Sequence, residues 1–426
     1  MTSKRKLMMT LMSIMVVLTL CFSLALPVFA DDPPEDAKAA VTKIFKMPMG
    51  TSVPDATFTF DFEKKNVDGD SSTTAKNSMP DLSATVSFVS DKTTGKTDDG
   101  SVITLIRESA DFVAGKNWPH AGVYEYLLTE NKTGYTTPNN AGYTDDLTYS
   151  DAQYKVQVVI ENGPNGLYVS LVAVTVVVVD NPGQQVDDKV DPTPGGDPNI
   201  TGDYSKVVFT NTYLKNYGGT DPDSNMAMDV EKIVDGAQGD RSKYFDFKVS
   251  VFNPGTIPGN TNAYMAYIKE ANGSIATDIT NNVPTGSSVG MSTDTSSRPY
   301  LLFAPGIEGA IRLKHGQKLV FISLPVGASF IVKEDPVSKY TPTGVSTLGS
   351  ASALTVIGTE VGGLTLPKYL VAEGANHVVV TNKHDTVVIA GISVDNLPYI
   401  VMIAIGMLAL AGFLALKLSR KAKAER

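Results

Sequence analysis

Two parts of the chain each carry a lysine, a glutamate and an asparagine in the same order, within segments that alternate apolar and polar residues. The two sets are Lys43, Glu130 and Asn211, followed by Lys232, Glu334 and Asn382. Side chains two residues apart share one face of a β-strand. Lys43 is in phase with Val41 and Phe45, whereas Lys46 is out of phase and is expected to be solvated. The other five positions follow the same phase, so we expect all six polar groups to face the interior of their domains.

Burial of an amine, a carboxyl and an amide together predicts a particular reaction. A buried amine tends to lose its proton and a buried carboxyl tends to keep one. The neutral lysine amine is then a nucleophile, and the side-chain amide of asparagine is the electrophile. Attack would expel ammonia and leave an isopeptide bond, with the glutamate polarising the amide and carrying protons. The predicted bonds are Lys43–Asn211, with Glu130 as catalytic residue, and Lys232–Asn382, with Glu334 as catalytic residue.

Two simpler interpretations account for the same residues. A buried lysine and glutamate can form an ion pair beside a hydrogen-bonded asparagine, and an asparagine near a strand end is common at turns. The repetition of the whole set favours the reaction. Cys21 is the single cysteine, and it lies in a segment predicted to be removed, so the mature chain would have no disulfide and would need another source of stability.

The segments that hold these residues are typical of strands. Runs of alternating or β-branched residues occupy Thr57–Glu63, Tyr154–Ile160, Leu167–Val179, Tyr244–Phe252 and Ser329–Val332. Clusters of Gly, Pro, Asn and Asp separate the runs, and no long segment of the body has a sustained helical period. The sequence therefore predicts an all-β protein made of antiparallel sandwiches.

The repeated order of features predicts two tandem domains. Lys215–Asn225 is polar and lies between two strand-rich blocks, so we place the boundary there, with a first domain over 31–217 and a second over 218–386. Asn181–Asp203 is dense in Pro, Gly and Asp. Because it interrupts the first domain shortly before its last strand, it is interpreted as a long surface insertion.

The two ends of the chain read as addressing segments. Residues 1–30 combine a basic start, an apolar run and small residues before a cut after Ala30, which is typical of a secretory signal peptide. An uncleaved membrane anchor and a lipidated Cys21 are the alternatives. Leu397–Leu416 is apolar and long enough to span a bilayer, and a basic tail follows it. That charge is expected to stay in the cytoplasm, which leaves the body outside the cell.

Composition and motifs argue against several classes of function. The formal net charge is −9, and both terminal segments are basic, so the body is more acidic still. Nucleic-acid binding is therefore not expected. The 4 histidines have no metal-ligand spacing, and no phosphate-binding loop or nucleophile elbow occurs. We expect no cofactor, no metal and no turnover enzyme, the self-modification being a single event.

Several segments carry a resemblance to a known family. They are VTK at 41–43, DATFTF at 55–60, GVYEYLLTE at 122–130, VVFTN at 207–211, GDRSKYFDF at 239–247, LPVGASFIVKED at 324–335 and VVVTNK at 378–383. With these segments the chain resembles the FctA-type major pilins of Gram-positive bacteria, built from pilin isopeptide-linkage domains. The resemblance implies immunoglobulin-like (CnaB-like) sandwiches, each with a spontaneous Lys–Asn bond and a catalytic Glu. It also implies assembly by sortase into a covalent shaft.

The resemblance extends to the C-terminal segment 387–426, read as a sorting signal with its transmembrane helix. Relatives usually show Pro-Thr-Gly before that helix, whereas Val387–Gly391 reads VVIAG here. A sortase reading this stretch would cut between Ala390 and Gly391. Lys206, in a Ser-Lys-Val stretch, is the candidate lysine that joins subunits, although two residues fewer than in the family pattern separate it from the asparagine.

These observations predict a shaft subunit of a sortase-assembled pilus at the cell surface, anchored in the membrane before sorting. Its expected partners are other pilin subunits, sortase, and minor pilins or peptidoglycan. The alternative is a monomeric membrane- or wall-anchored adhesin built on the same domains.

Overall fold

The computed structural model describes residues 35–90, 96–98, 100–133, 135, 143–195, 203–218, 221–223, 227–257, 259–385 and 397–424. The predicted signal peptide, 1–30, lies outside these residues. The chain divides into two compact units, the first consisting mainly of residues up to Tyr217 and the second mainly of residues from Gly218 onward. Each unit is described by itself below.

The first unit is built from strands and one short helix. The strands are β1 Thr42–Pro48, β2 Ala56–Val67, β3 Ser83–Phe88, β4 Lys96–Asp98, β5 Val102–Glu108, β6 Gly122–Glu130, β7 Tyr143–Thr148, β8 Gln153–Gly163, β9 Gly166–Val178, β10 Lys189–Val190 and β11 Val208–Tyr217, and the helix α1 is Thr73–Ser78. One sheet has the order β11-β1-β5-β4, with β7 also paired to β11, and the other has the order β10-β9-β8-β6-β2-β3.

The core of the first unit lies between these two sheets. Alternate residues of β2 and β6 are buried, as expected for strands that expose one face to solvent. The rings of Phe60, on one sheet, and Phe209, on the other, have centroids 4.9 Å apart. Burying an aromatic or aliphatic side chain of this size stabilises a fold by roughly 1.5–3 kcal/mol, so these inward positions hold the sheets together.

The first and last strands of the unit are neighbours. β1 pairs with β11 in parallel and with β5 antiparallel. A parallel pair needs a long connection between its strands, and here the rest of the unit supplies it. This pairing places residues that are far apart in sequence on one face of one sheet.

The second unit repeats this plan with other strands. They are β12 Met228–Asp235, β13 Phe245–Phe252, β14 Tyr264–Lys269, β15 Gly290–Thr293, β16 Pro299–Phe303, β17 Gly309–Leu313, β18 Lys318–Phe321, β19 Leu324–Pro325, β20 Ser329–Glu334, β21 Thr341–Leu348, β22 Leu354–Ile357, β23 Leu364–Thr365, β24 Tyr369–Leu370 and β25 Asn376–Lys383. One sheet has the order β15-β16-β14-β18-β12-β25-β21-β22, and the other the order β17-β13-β20-β23, with β24 paired to β20. β12 and β25 are again parallel.

A long apolar helix, α2, covers Leu397–Ala424. Pro398–Leu418 within it has the length and hydropathy of a membrane span, and its side chains contact little else in the described structure. The predicted fold class, all-β sandwich domains with a C-terminal apolar helix, is confirmed.

The segment interpreted as a surface insertion is attached to the first unit more closely than expected. Asn181 is buried, and its Nδ2 donates a hydrogen bond of 2.7 Å to the carbonyl of Val208. β10 extends the sheet beside β9. Ser205, at the far end, is buried and donates through Oγ to the carbonyl of Ala40. Polar side chains in and next to this segment form hydrogen bonds with backbone groups beside β1 and β11. Composition alone does not distinguish polar residues in this role from residues that are exposed to solvent.

Candidate functional site

Lys43 and Asn211 reach the same interior point from adjacent strands. In the parallel pair β1–β11, Lys43 lies opposite Phe209 and Phe45 lies opposite Asn211. The two residues are therefore offset by two positions, which keeps both side chains on one face of the sheet. Both residues are fully buried.

Glu130 approaches from the opposite sheet. It ends β6, where it pairs with Phe60 of β2. Lys43 Nζ lies 2.6 Å from Glu130 Oε1, and Asn211 Nδ2 donates to the same oxygen at 2.8 Å. One carboxylate oxygen thus contacts both the amine of Lys43 and the side-chain amide nitrogen of Asn211.

The burial of Lys43 shifts its amine toward the neutral form. The Nζ atom lies over the ring of Phe58, 4.6 Å from the centroid, and its side chain has no exposed area. Burial lowers the pKa of Lys43 to about 8, although Glu130 and, more weakly, Asp180 oppose the shift. A lysine with this pKa has a usable fraction of free amine near neutral pH.

A third group at this site was not foreseen from the sequence. The backbone N–H of Ser150, which follows β7, donates to Asn211 Oδ1 at 2.8 Å and to Glu130 Oε2 at 3.1 Å. β7 pairs with β11 in one sheet, whereas β8 belongs to the other, so the connection between them crosses the sandwich beside the site. No short sequence pattern marks such a crossing.

The second unit has the same strand register. Lys232 lies opposite Val380 and Val234 lies opposite Asn382 in the parallel pair β12–β25. Glu334, on the other sheet, pairs with Phe247, as Glu130 pairs with Phe60. The offset of two between lysine and asparagine is therefore repeated.

The contacts of the second site resemble those of the first in part, and Lys232 Nζ also donates to the carbonyl of Val380 at 3.4 Å. Lys232 Nζ lies 2.8 Å from Glu334 Oε1 and 4.4 Å from the centroid of the Phe245 ring. Among the residues described, nothing donates a hydrogen bond to Asn382 Oδ1. Burial lowers the pKa of Lys232 to about 8 and raises the pKa of Glu334, while attraction between the two opposes both shifts.

A tyrosine packs behind the aromatic ring at each site. Tyr135 stacks on Phe58, with centroids 6.5 Å apart, and Tyr340 meets Phe245 edge-on at 5.3 Å. Each phenylalanine carries the lysine amine on its ring. These contacts hold the apolar wall that keeps water from the amine.

The remaining sequence-predicted positions lie elsewhere. Lys206 is exposed, and its Nζ rests 4.0 Å from the ring centroid of Tyr204, beside a groove that Ile44 and Val190 help to line. Ala390 and Gly391 fall outside the described residues. Within the part of the chain that is described, no group of three or more His, Cys, Asp or Glu could hold a metal.

The comparison with family models decides the assignment of the first domain. Residues 39–214 match the model described as Spy0128-like isopeptide containing domain. The first domain belongs to that family. This confirms the resemblance to FctA-type pilins, and the Spy0128-like domain includes Lys43, Glu130 and Asn211. Residues 227–361 match a model described as a domain of unknown function, DUF7601.

Solved structures similar to the chain include pilus proteins. The major pilin from Streptococcus pyogenes is 18% identical, with a TM-score of 0.31, over 83% of this chain and 100% of that one. The major pilin T3.2 of Streptococcus pyogenes is 18% identical, with a TM-score of 0.30, over 83% and 99%. A pilus-presented adhesin, Cpa, is 17% identical, with a TM-score of 0.23, over 55% of this chain and 36% of that one. No curated protein matches.

Proposed function

We propose that the chain is a structural subunit of a cell-surface pilus, strengthened by two self-formed isopeptide bonds. The observation that carries the proposal is the repeated register: in each domain a buried lysine and a buried asparagine stand two positions apart on parallel strands, facing a buried glutamate. An ordinary ion pair needs no asparagine at this position. The Spy0128-like family of the first domain and the pilins among similar structures support the same conclusion.

The proposed reaction balances within the groups in contact. In the first domain, Lys43 Nζ attacks Asn211 Cγ while one of its protons passes to Glu130 Oε1. The same oxygen, 2.8 Å from Asn211 Nδ2, delivers a proton to that nitrogen, which leaves as ammonia. The carboxylate is regenerated and nothing is oxidised. Each bond forms once per chain, so the protein is a substrate of its own chemistry and not a turnover enzyme.

Intact mass tests the bonds directly. Loss of one ammonia per bond makes the folded chain lighter than its sequence by roughly 34 Da when both bonds form. Tryptic mapping under denaturing conditions should recover the peptides of Lys43 and Asn211 as one cross-linked species, and those of Lys232 and Asn382 as another. A mass equal to that of the unmodified sequence would rule the bonds out.

Assembly into a shaft is the second part of the proposal. The apolar part of α2 and the basic residues at its C-terminal end suit a chain held at the membrane until a sortase joins Ala390 to a lysine of the next subunit. Co-expression with a pilus-type sortase should give ladders that survive boiling in detergent. A single band at monomer size would instead favour the monomeric anchored adhesin.

A further inference from the structure

The amide oxygen that gains negative charge during the proposed reaction has a backbone donor in the first domain. Attack on Asn211 Cγ turns the side-chain carbonyl into a tetrahedral centre whose oxygen carries the charge. The Ser150 N–H already donates to that oxygen at 2.8 Å. A donor fixed before reaction stabilises the developing charge without reorganising, which is how oxyanion holes accelerate acyl transfer.

The Ser150 N–H is free for this role because of where the chain leaves the sheet. β7 ends at Thr148, and β8 begins at Gln153 in the other sheet. The hydrogen bonds of the Ser150 N–H go to Asn211 and Glu130 side chains and not to a strand ladder. Its position does not depend on sheet pairing, so another contact must hold it.

Asp180 supplies that contact. Its Oδ2 accepts hydrogen bonds from Ser150 Oγ at 2.6 Å and from the backbone N–H of Asp151 at 2.9 Å. The two bonds fix the connection on either side of the Ser150–Asp151 peptide. Asp180 follows β9 in the chain, so the sheet that carries Glu130 also positions the donor.

The second domain differs at the corresponding place. Asn382 lies opposite Pro342 in the pair β25–β21, and Pro342 has no N–H. The next residue, Thr343, continues in β21 and also lies opposite Ile357 of β22, so the chain does not cross between sheets there. Within the described residues Asn382 Oδ1 consequently has no donor.

We propose that the backbone N–H of Ser150 is the oxyanion donor for formation of the Lys43–Asn211 bond, and that Asp180 is a positioning residue that holds it. This rests on the proposed function, because it concerns the rate of the same bond. The second domain provides an internal reference in every molecule, since its bond forms without this donor.

The test compares two substitutions at one position in the full chain. Ser150→Pro removes the N–H, whereas Ser150→Ala keeps the N–H and removes only the hydroxyl. Each protein is made by pulsed cell-free synthesis with detergent, quenched in acid at intervals and digested, and both cross-linked peptides are quantified. We expect Ser150→Pro to slow the Lys43–Asn211 bond roughly 100-fold, the loss seen when one oxyanion donor is removed. Ser150→Ala should slow it only a few-fold, and the Lys232–Asn382 bond should keep its rate in both.

A second pair covers the case in which proline unfolds the first domain. Asp180→Ala removes the acceptor that holds the loop, and Asp180→Asn keeps an oxygen that can accept the same bonds. Slower Lys43–Asn211 bond formation in Asp180→Ala, rescued in Asp180→Asn, supports the proposal. Equal rates across the folded variants overturn it while leaving the proposed function intact. Absence of both bonds from the chain without substitutions overturns the proposed function itself.

Discussion

Lys43 of β1 lies directly opposite Phe209 of the parallel neighbouring strand β11, and Asn211 follows Phe209 by two positions. Lys232 stands in the same relation to Val380 and Asn382. A slip of one residue would turn every buried side chain of the strand to the opposite face, so burial keeps this offset fixed. The lysine and asparagine of each domain are thus presented to each other by backbone pairing, and the glutamate is added from the facing sheet.

Each glutamate should control only the bond of its own domain. Glu130→Ala is expected to give a chain only about 17 Da lighter than its own sequence, in place of roughly 34 Da, because one ammonia is retained, and Glu334→Ala should do the same for the other site. Peptide mapping assigns the missing cross-link. Glu161→Ala, at an exposed position of β8, is the matched control and should keep both bonds. Loss of both bonds in either single variant would contradict independent sites.

Two substitutions at the first site should lower the stability of the first domain by different amounts. Asn211→Ala removes the bond, and closing a loop of this length is worth about 4–5 kcal/mol in chain-entropy models. Glu130→Ala removes the bond and also leaves Lys43 buried without its partner, which costs about 3–5 kcal/mol more. In guanidinium unfolding, the protein without substitutions should therefore be more stable than Asn211→Ala, and Asn211→Ala more stable than Glu130→Ala. Equal midpoints for the two variants would show that Lys43 needs no partner.

An unbonded second domain should gain stability in alkaline solution. In Asn382→Ala, Lys232 keeps its amine, whose pKa falls from 10.5 to about 8 on burial. As the pH rises from 8 toward 10.5, the unfolded state binds more protons than the native state, so the free energy of unfolding increases. Denaturant titrations at several pH values would measure it. The control, Lys232→Met with Asn382→Ala, lacks the amine and should show no such gain. An equal increase in the free energy of unfolding of both variants would show that Lys232 is not its source.

The two bonds should form at different rates in the chain without substitutions. Asn211 Oδ1 has the Ser150 N–H as donor, whereas Asn382 Oδ1 has none among the described residues. We expect the Lys43–Asn211 bond to appear roughly 100-fold sooner, on the order of what one preformed donor contributes. Acid-quenched time points after pulsed synthesis measure both bonds in one sample. Earlier formation of the Lys232–Asn382 bond would contradict this expectation.

Subunit joining should depend on one exposed lysine if Lys206 is the acceptor. Lys206→Arg keeps the charge but removes the primary amine, so detergent-resistant ladders should disappear on co-expression with sortase. Lys189→Arg, at an exposed position beside the same groove, is the matched control and should leave them unchanged. Ladders that persist in Lys206→Arg would assign the acceptor to another lysine.

The sequence predicted the strands and the inward phase of the reactive groups, because alternation with period two is a local signal. Lys43 follows Val41 and Asn211 follows Phe209 in phase. Such patterns can be recognised without knowing the partner strand. Ser150 and Asp180 could not be found this way. Their role comes from a loop crossing between sheets and from a backbone N–H, which any residue other than proline carries. The burial of Asn181 likewise depends on distant carbonyls.

The parallel pairing of first and last strands also decides how the first domain would respond to pulling. Force applied through the two ends of the domain enters β1 at Thr42 and leaves β11 at Tyr217, so the strands are drawn lengthwise past each other. All hydrogen bonds between them share the load, rather than opening one after another. With a covalent link from Lys43 to Asn211, tension would pass from strand to strand, and the chain between them would carry none of it.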